Sequence, residues 1–330
     1  MTRSMTRRAF TILAPALALP AGLLAPSPAR AAWAPSRPVR MIAPYAPGGG
    51  ADITARLLAP AMSRSLGQPV IVENRPGAGG SIGAAEVARA AADGHTVMLD
   101  ALAHVSNPAV LPSLPFNYAT AFAPISQVTL LPQILITART SPHRSLEALL
   151  AAAKAKPGQL SYGSSGNATA AHLASVALLR RAGVEMVHIP YRGGGQALQD
   201  LMAGQVDFVF ATVSSSAALA RDGQVRALGV STAARLAALP DVPTIAEQGF
   251  PGYELNEWNG FYAPAGTPAP ALEALHAALL AALRDPAVAE RLESMGALAI
   301  GSTPEQFRLY LAEQRARITT LIREAGVTID

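Results

Sequence analysis

Four times in this chain a short apolar or β-branched run ends in a loop of glycine, serine, asparagine or threonine and passes directly into an alanine-rich stretch of helical period. The joins are PYAPGGGADITARLL (Pro44–Leu58), RPGAGGSIGAAEV (Arg75–Val87), YGSSGNATAAHL (Tyr162–Leu173) and YRGGGQALQDL (Tyr191–Leu201). Continuous apolar strands alternating with amphipathic helices predict mostly parallel α/β sheets covered by helices on both faces. In open sheets of that kind, ligands sit at the loops beyond the carboxyl ends of the strands. A glycine loop opening a helix also bares the first backbone N–H groups, and with the helix dipole these favour an anion. Any single join could be a tight turn without a ligand; the recurrence of one arrangement points to a shared site.

Other chemistries find little support. GAGGSIG places Ile82 where a dinucleotide fingerprint needs its third glycine, and no Gly-Lys-Ser/Thr forms a phosphate loop. YGSSGN is not the G-x-S-x-G of a nucleophile elbow. The six histidines show no metal-ligand spacing, and the absence of cysteine removes disulfides, thiolate metal sites and cysteine nucleophiles. No cofactor or metal is expected, and no enzyme activity. A serine hydrolase built on Ser164, His172 and an acid remains as an alternative.

The first residues, with Arg3, Arg7 and Arg8, an apolar run from Phe10 to Ala25, and Ala29 and Ala31 around Arg30, read as a signal peptide over 1–31. Arg7-Arg8 before Phe10 resembles a twin-arginine signal; either export route places the protein in the periplasm. The formal charge of +4 owes its excess to those four arginines, since no acid accompanies them. The remainder is formally neutral and poor in aromatics, which argues against nucleic acid as a partner. Roughly 300 residues remain, half apolar in composition, enough for two cores. Within the first predicted helix, Pro60 should introduce a kink. Near the end, TPEQFRLYLAEQRARITTLIREAG carries Thr303 as N-cap, Pro304 at the first turn and Gln306 to complete a capping box, with Gly326 to stop it. Phe307, Leu311, Ile318 and Leu321 should form its buried face.

The long segment PVRMIAPYAPGGGADITARLLAPAMSRSLGQPVIVENRPGAGGSIGAAEVARAAADGHTVML resembles the opening of the Bug (TctC-like) family, the substrate-binding proteins of tripartite tricarboxylate transporters. The similarity continues through HVSNPAVL, SYGSSGNATAAHLA, VHIPYRGGGQALQDLMAGQVDFVF, LPDVPTIAEQG and YAPAGTPAP. It implies a two-lobed, type II periplasmic-binding-protein fold, a flytrap, with lobe 1 formed by 33–128 and 231–330 and lobe 2 by 129–230. It further implies capture of a small mono- or dicarboxylate, aromatic acids included, by a monomer that delivers it to membrane permease subunits. A sensor that presents ligand to a signalling receptor is the alternative within the same fold.

Carried onto matching residues, the resemblance places ligand contacts at Tyr45, Gly48, Gly49 and Asp52, at His104 and Asn107 of an HVSNP loop, at Ser164, Gly166, Asn167, Thr169 and His172, and at Gly193 and Gly194. Asp52 cannot itself hold an anion; it either caps the helix or orients a water. His104 and His172 either face ligand or bond to the backbone. Arg192 is expected at the surface, in a place where relatives commonly have lysine. Where many relatives carry an acid after the VDFVF strand, this chain has Ala211 and Thr212, which leaves Thr212 as a contact and no partner there for a ligand ammonium. Amino acids should therefore bind poorly. Trp258 either lines the cleft or packs behind it.

Overall fold

The computed structural model describes Met1 and residues 33–48, 50–191 and 193–328. The signal-peptide reading of 1–31, and the site expectations on Gly49 and Arg192, lie outside those residues. Among the described residues the elements run β1 (Val39–Ala43), α1 (Gly50–Leu66), β2 (Val70–Asn74), α2 (Ser81–Ala88), β3 (Thr96–Ala101), α3 (Ala103–Val110) and β4 (Phe122–Leu131). After Pro132 follow β5 (Gln133–Ala138), α4 (Leu146–Ala155), β6 (Ser161–Ser164), α5 (Ala170–Ala182), β7 (Val187–Pro190), α6 (Gly194–Met202), β8 (Phe208–Thr212), α7 (Val213–Arg221) and β9 (Val225–Val230). An irregular stretch then leads to β10 (Glu257–Pro264), α8 (Ala269–Leu283), α9 (Pro286–Ser294), β11 (Leu298–Ala299) and α10 (Pro304–Ala325).

Two sheets result, ordered β11-β4-β10-β3-β1-β2 and β7-β6-β8-β5-β9. Both are mixed rather than mostly parallel. The pairs β1–β2, β1–β3, β6–β7 and β6–β8 are parallel, whereas β10 runs against β3 and β4, and β5 runs against β8 and β9. The reason is positional. β5 and β10 are the strands through which the chain enters a sheet from the other one. They start at the end where β3 and β8 finish, so they must run the opposite way. Buried strands of either direction carry the same apolar residues, which is why the sequence pattern could not separate them.

The crossings between the sheets are tied together. Ser231 donates its N–H to the Gln133 carbonyl at 2.9 Å, Gln133 N–H donates to Ser231 Oγ at 3.0 Å, and Ser231 Oγ donates to Asn256 Oδ1 at 2.6 Å. One apolar core, containing Ile42, Met98, Phe208, Phe210, Trp258 and Phe307 among others, spans both sheets on one side. Separate cores cover the outer faces of each sheet.

α10 opens with the expected capping box, Thr303 with Gln306, and stops at Gly326 in the left-handed conformation. Its buried face is Phe307, Leu311, Gln314, Ile318 and Ile322; Leu321, expected inside, is only partly buried because a 3.6-residue period brings Ile322 onto the Ile318 side. It packs on α3 and on α5, so this helix touches elements of both sheets. α1 continues through Pro60 as one helix, with Pro60 on its exposed side. Among the described residues no helix is long and apolar enough to cross a membrane.

Candidate functional site

Between the sheets lies a cleft of about 530 Å³. Four helix beginnings reach it: Gly48, Gly50 and Ile53 at α1, Ser165, Ala170 and Ala171 at α5, Gly194 and Gly195 at α6, and Thr212, Ser214 and Ser215 at α7. Each of these helices has at least two turns, so each directs the positive end of its dipole and its first amides toward the same space. The walls between them are apolar at Leu131, Val209, Phe210 and Met295. Sequence alone gave four separate joins, and packing brings three of them, with α7 added, to one hollow.

The α1 mouth is pinned by a charge. Buried Asp52 accepts from Gly48 N–H at 2.8 Å, from Asn74 Nδ2 at 2.8 Å and from Arg56 Nε at 2.9 Å. Burial by itself raises this carboxyl's pKa, but those three donors outweigh it and hold the pKa below the ordinary value. Asp52 thus caps and shapes the loop, and the Gly48 amide is already occupied. Gly48 has φ +82, a conformation in which glycine avoids the steric cost of a side chain.

The α5 mouth is held by neutral groups. Ser164, 1% exposed, donates from Oγ to the Gly166 carbonyl at 3.0 Å and so accepts from His188 Nε2 at 2.7 Å. His188 stacks on His172, with ring centroids 3.8 Å apart, and on Tyr162 at 4.9 Å. His172 Nδ1 accepts the Ala168 N–H at 3.0 Å. Burial lowers the His188 pKa to about 4, and burial plus the neighbouring His188 lowers that of His172 to about 3, so both rings are neutral near pH 7. Thr169 is the N-cap of α5 and also donates to the Gly166 carbonyl at 2.8 Å. Asn167 is partly buried within the same loop. Gly166 and Gly193 take φ +134 and +137, which suits glycine and lets the backbone turn into the helix. At α7, Thr212 Oγ1 bonds to Ser215 Oγ at 3.0 Å and accepts from Ser214 Oγ at 2.9 Å.

Several expected contacts lie elsewhere. HVSNP is not a loop but part of α3, and the side chains of His104, Val105, Ser106 and Asn107 are buried, while Pro108 is exposed. His104 bonds to Asp100 Oδ2 at 3.0 Å and stacks on Tyr262, with burial first and then Asp100's opposing charge setting a net lowered pKa. Asn107 donates to the Gly79 carbonyl at 2.9 Å and to Tyr118 Oη at 3.0 Å. Asn107 therefore supports the Gly77–Gly80 turn from beneath, His104 packs among Asp100, Tyr118 and Tyr262, and neither lines the cleft. Tyr45 donates to Asp100 Oδ1 at 2.7 Å and packs its ring beside Gly80; burial, then Asp100, raises its pKa. Trp258 is fully buried and packs edge-on against Phe307 and Tyr310, so it is a core residue rather than a cleft wall.

The cleft also contains residues that sequence reasoning missed. Each entering strand begins there: β5 with Gln133, β10 with Glu257. Glu257 Oε1 accepts from Leu102 N–H and Trp258 N–H, both at 2.9 Å, and burial raises its pKa to about 7. Arg291 of α9 stands at the rim and reaches Ser294 Oγ at 3.4 Å. Strand alternation was the available signal for Glu257: Trp258 faces the core, so its neighbour points the other way. Nothing local marks Arg291.

Known proteins share this overall fold. Residues 54–327 match the model of the family described as "Tripartite tricarboxylate transporter family receptor" (TctC). A protein from the tcbD-tcbE intergenic region of Pseudomonas sp. strain P51 is 40% identical over 88% of this chain and 87% of its own length. The periplasmic binding protein BugD superimposes with a TM-score of 0.78 at 34% identity, covering 89% of this chain and 100% of that one. The R. palustris protein Rpa4515, solved with adipate, gives a TM-score of 0.80 at 32% identity over 89% and 99%.

Proposed function

The chain belongs to the tripartite tricarboxylate transporter receptor family, and on that premise we propose that it is a periplasmic solute-binding protein that captures a small carboxylate for a membrane permease. The observation that carries this reading is the convergence of four helix mouths on one cleft. Amide and hydroxyl donors bind a carboxylate without a fixed counter-charge, which suits a protein that must also release it. Arg291 at the rim supplies a cation for a second carboxylate, and apolar Phe210 and Met295 favour a carbon skeleton between the two. The adipate bound to Rpa4515 has that form.

Closure follows from chain path. We take 33–128 with 231–330 as one lobe and 129–230 as the other, and the tied crossings at Gln133 and Ser231 as the hinge. Ligand contacts made from both sides stabilise the closed form and shift the open–closed balance toward it. The protein acts as an exported monomer without a cofactor. A hydrolase on Ser164 and His172 is disfavoured, because Ser164 pairs with His188 and gives its proton to Gly166, while His172 accepts a backbone amide. A thermal-shift screen of mono- and dicarboxylates tests the proposal: a ligand that binds only the folded form raises Tm. A panel of short, long and aromatic acids that leaves Tm unmoved sinks it.

A further inference from the structure

A cleft built for an anion contains an acid. Among the described residues lining it, Glu257 is the carboxyl group and Arg291 the cation. Glu257 Oε1 is committed to the Leu102 and Trp258 amides, while Oε2 has no protein donor among the described residues. The opposite entering strand offers a neutral amide at the corresponding place, Gln133. Thr212, Ser214 and Ser215 spend hydroxyl bonds on one another and on the Thr212 carbonyl. An ionised Glu257 repels a plain carboxylate ligand, and its own oxygen goes unpaired when the cleft closes and water leaves.

Resting on the carboxylate reading above, we propose that this cleft selects acids bearing a hydroxyl group, and that Oε2 of Glu257 is the atom that meets the hydroxyl. A hydroxyl suits either protonation state of Glu257, donating to the carboxylate or accepting from the acid. An ammonium suits only the ionised form, and a carboxylate only the protonated form. With burial and the charge of Asp100 both raising the Glu257 pKa, the two forms coexist near neutral pH, so the hydroxyl is the one partner that is never mismatched. Arg291 lines the same cleft with its side chain exposed to solvent, which screens its charge. The cleft therefore does hold an acid, at the start of β10 and not after the VDFVF strand, where Ala211 and Thr212 stand.

Calorimetry on the full chain with three matched pairs tests this: malate against succinate, 2-hydroxyadipate against adipate, and mandelate against phenylacetate. The hydroxylated member is expected to bind about tenfold or more tightly in whichever pair the cleft accepts. Glu257→Gln retains an oxygen for the two backbone amides and removes the negative charge. It should strengthen the unsubstituted acid and cut the ratio below about threefold. A second readout needs no variant: between pH 6 and pH 8 the unsubstituted acid should weaken more steeply than its hydroxylated partner. Equal binding within every pair, a ratio unchanged in Glu257→Gln, or matching pH profiles overturns the assignment while leaving carboxylate capture intact. If none of the six acids binds, the carboxylate reading falls and this assignment with it.

Discussion

The two walls of the cleft are built from the same backbone device and stabilised by opposite means. On the α1 side a buried carboxylate, Asp52, gathers Gly48 N–H, Asn74 and Arg56, and the acid Glu257 and the cation Arg291 stand nearby on the same cleft. On the α5 side the supports are uncharged: a serine, a threonine and two stacked imidazoles kept neutral by burial. Charge-assisted bonds are roughly twice as strong as neutral ones, so the first wall is a rigid platform. The second wall presents hydroxyls and amides without a charge of its own. The contrast teaches that one carboxylate seat can be held in shape from below by ions while the surface offered to the ligand stays mostly neutral.

The largest effect should come from breaking the charged support. Asp52→Ala leaves Gly48 N–H and one N–H of the Asn74 amide unpaired, while the other keeps the Tyr45 carbonyl; this should destabilise the fold by about 1–3 kcal/mol and weaken ligand by more than about tenfold. Chemical denaturation and calorimetry measure both. Ser164→Ala, its counterpart on the neutral wall, should cost about 0.5–1.5 kcal/mol. A larger loss at Ser164 than at Asp52 reverses the comparison.

Next comes a variant that separates seat from scaffold. A Cβ at Gly194 meets only Ser165 Cβ, at 4.0 Å, so the fold should accept Gly194→Ala within about 0.5 kcal/mol. Its methyl group enters the space where an anion meets the α6 amides, and affinity should fall by about tenfold. Unchanged affinity would place the ligand away from α6.

The neutral wall also makes a pH prediction. Unfolded histidines protonate near pH 6.5, whereas His188 and His172 in the fold resist protonation down to about 4 and about 3. Below about 6.5 the unfolded chain binds more protons than the folded one, so this contribution to stability is complete above that pH and declines as pH falls toward 4. Melting curves from pH 7 to pH 4.5 should show the decline, and His188→Gln should flatten it. An identical slope in the variant assigns the acid sensitivity elsewhere.

The smallest effect is expected at the rim. Arg291 is exposed, so Arg291→Ala should weaken a dicarboxylate by about two- to fivefold at low salt and leave a monocarboxylate unchanged. Equal loss for both would place Arg291 outside the binding surface.

Much of this molecule was legible before folding. The glycine joins at Gly48, Gly166 and Gly193 mark strand-to-helix turns because only positive-φ backbone fits there, and Thr303 with Gln306 mark a helix start. Such signals are local, carried by a few neighbouring residues. His104 and Trp258 were less readable, since a histidine or tryptophan beside a loop looks the same whether it faces a ligand or a core. Glu257 was hidden for a related reason: its alternation with Trp258 carries meaning only once the faces of β10 are known.

The amino-acid sequence by itself determined the α/β class, the helix mouths and their preference for an anion, because backbone conformation and dipole direction depend on local residue types. Tertiary structure alone decided which mouths share a hollow, which way β5 and β10 run, that Asp52 and Asn107 serve the loops from behind, and that His104 packs in the core against Asp100. It also decided that Glu257 and Arg291 meet the same space. Those outcomes depend on residues far apart in the chain, and only packing, which buries Trp258 on one face of β10, fixes what its neighbour Glu257 can reach.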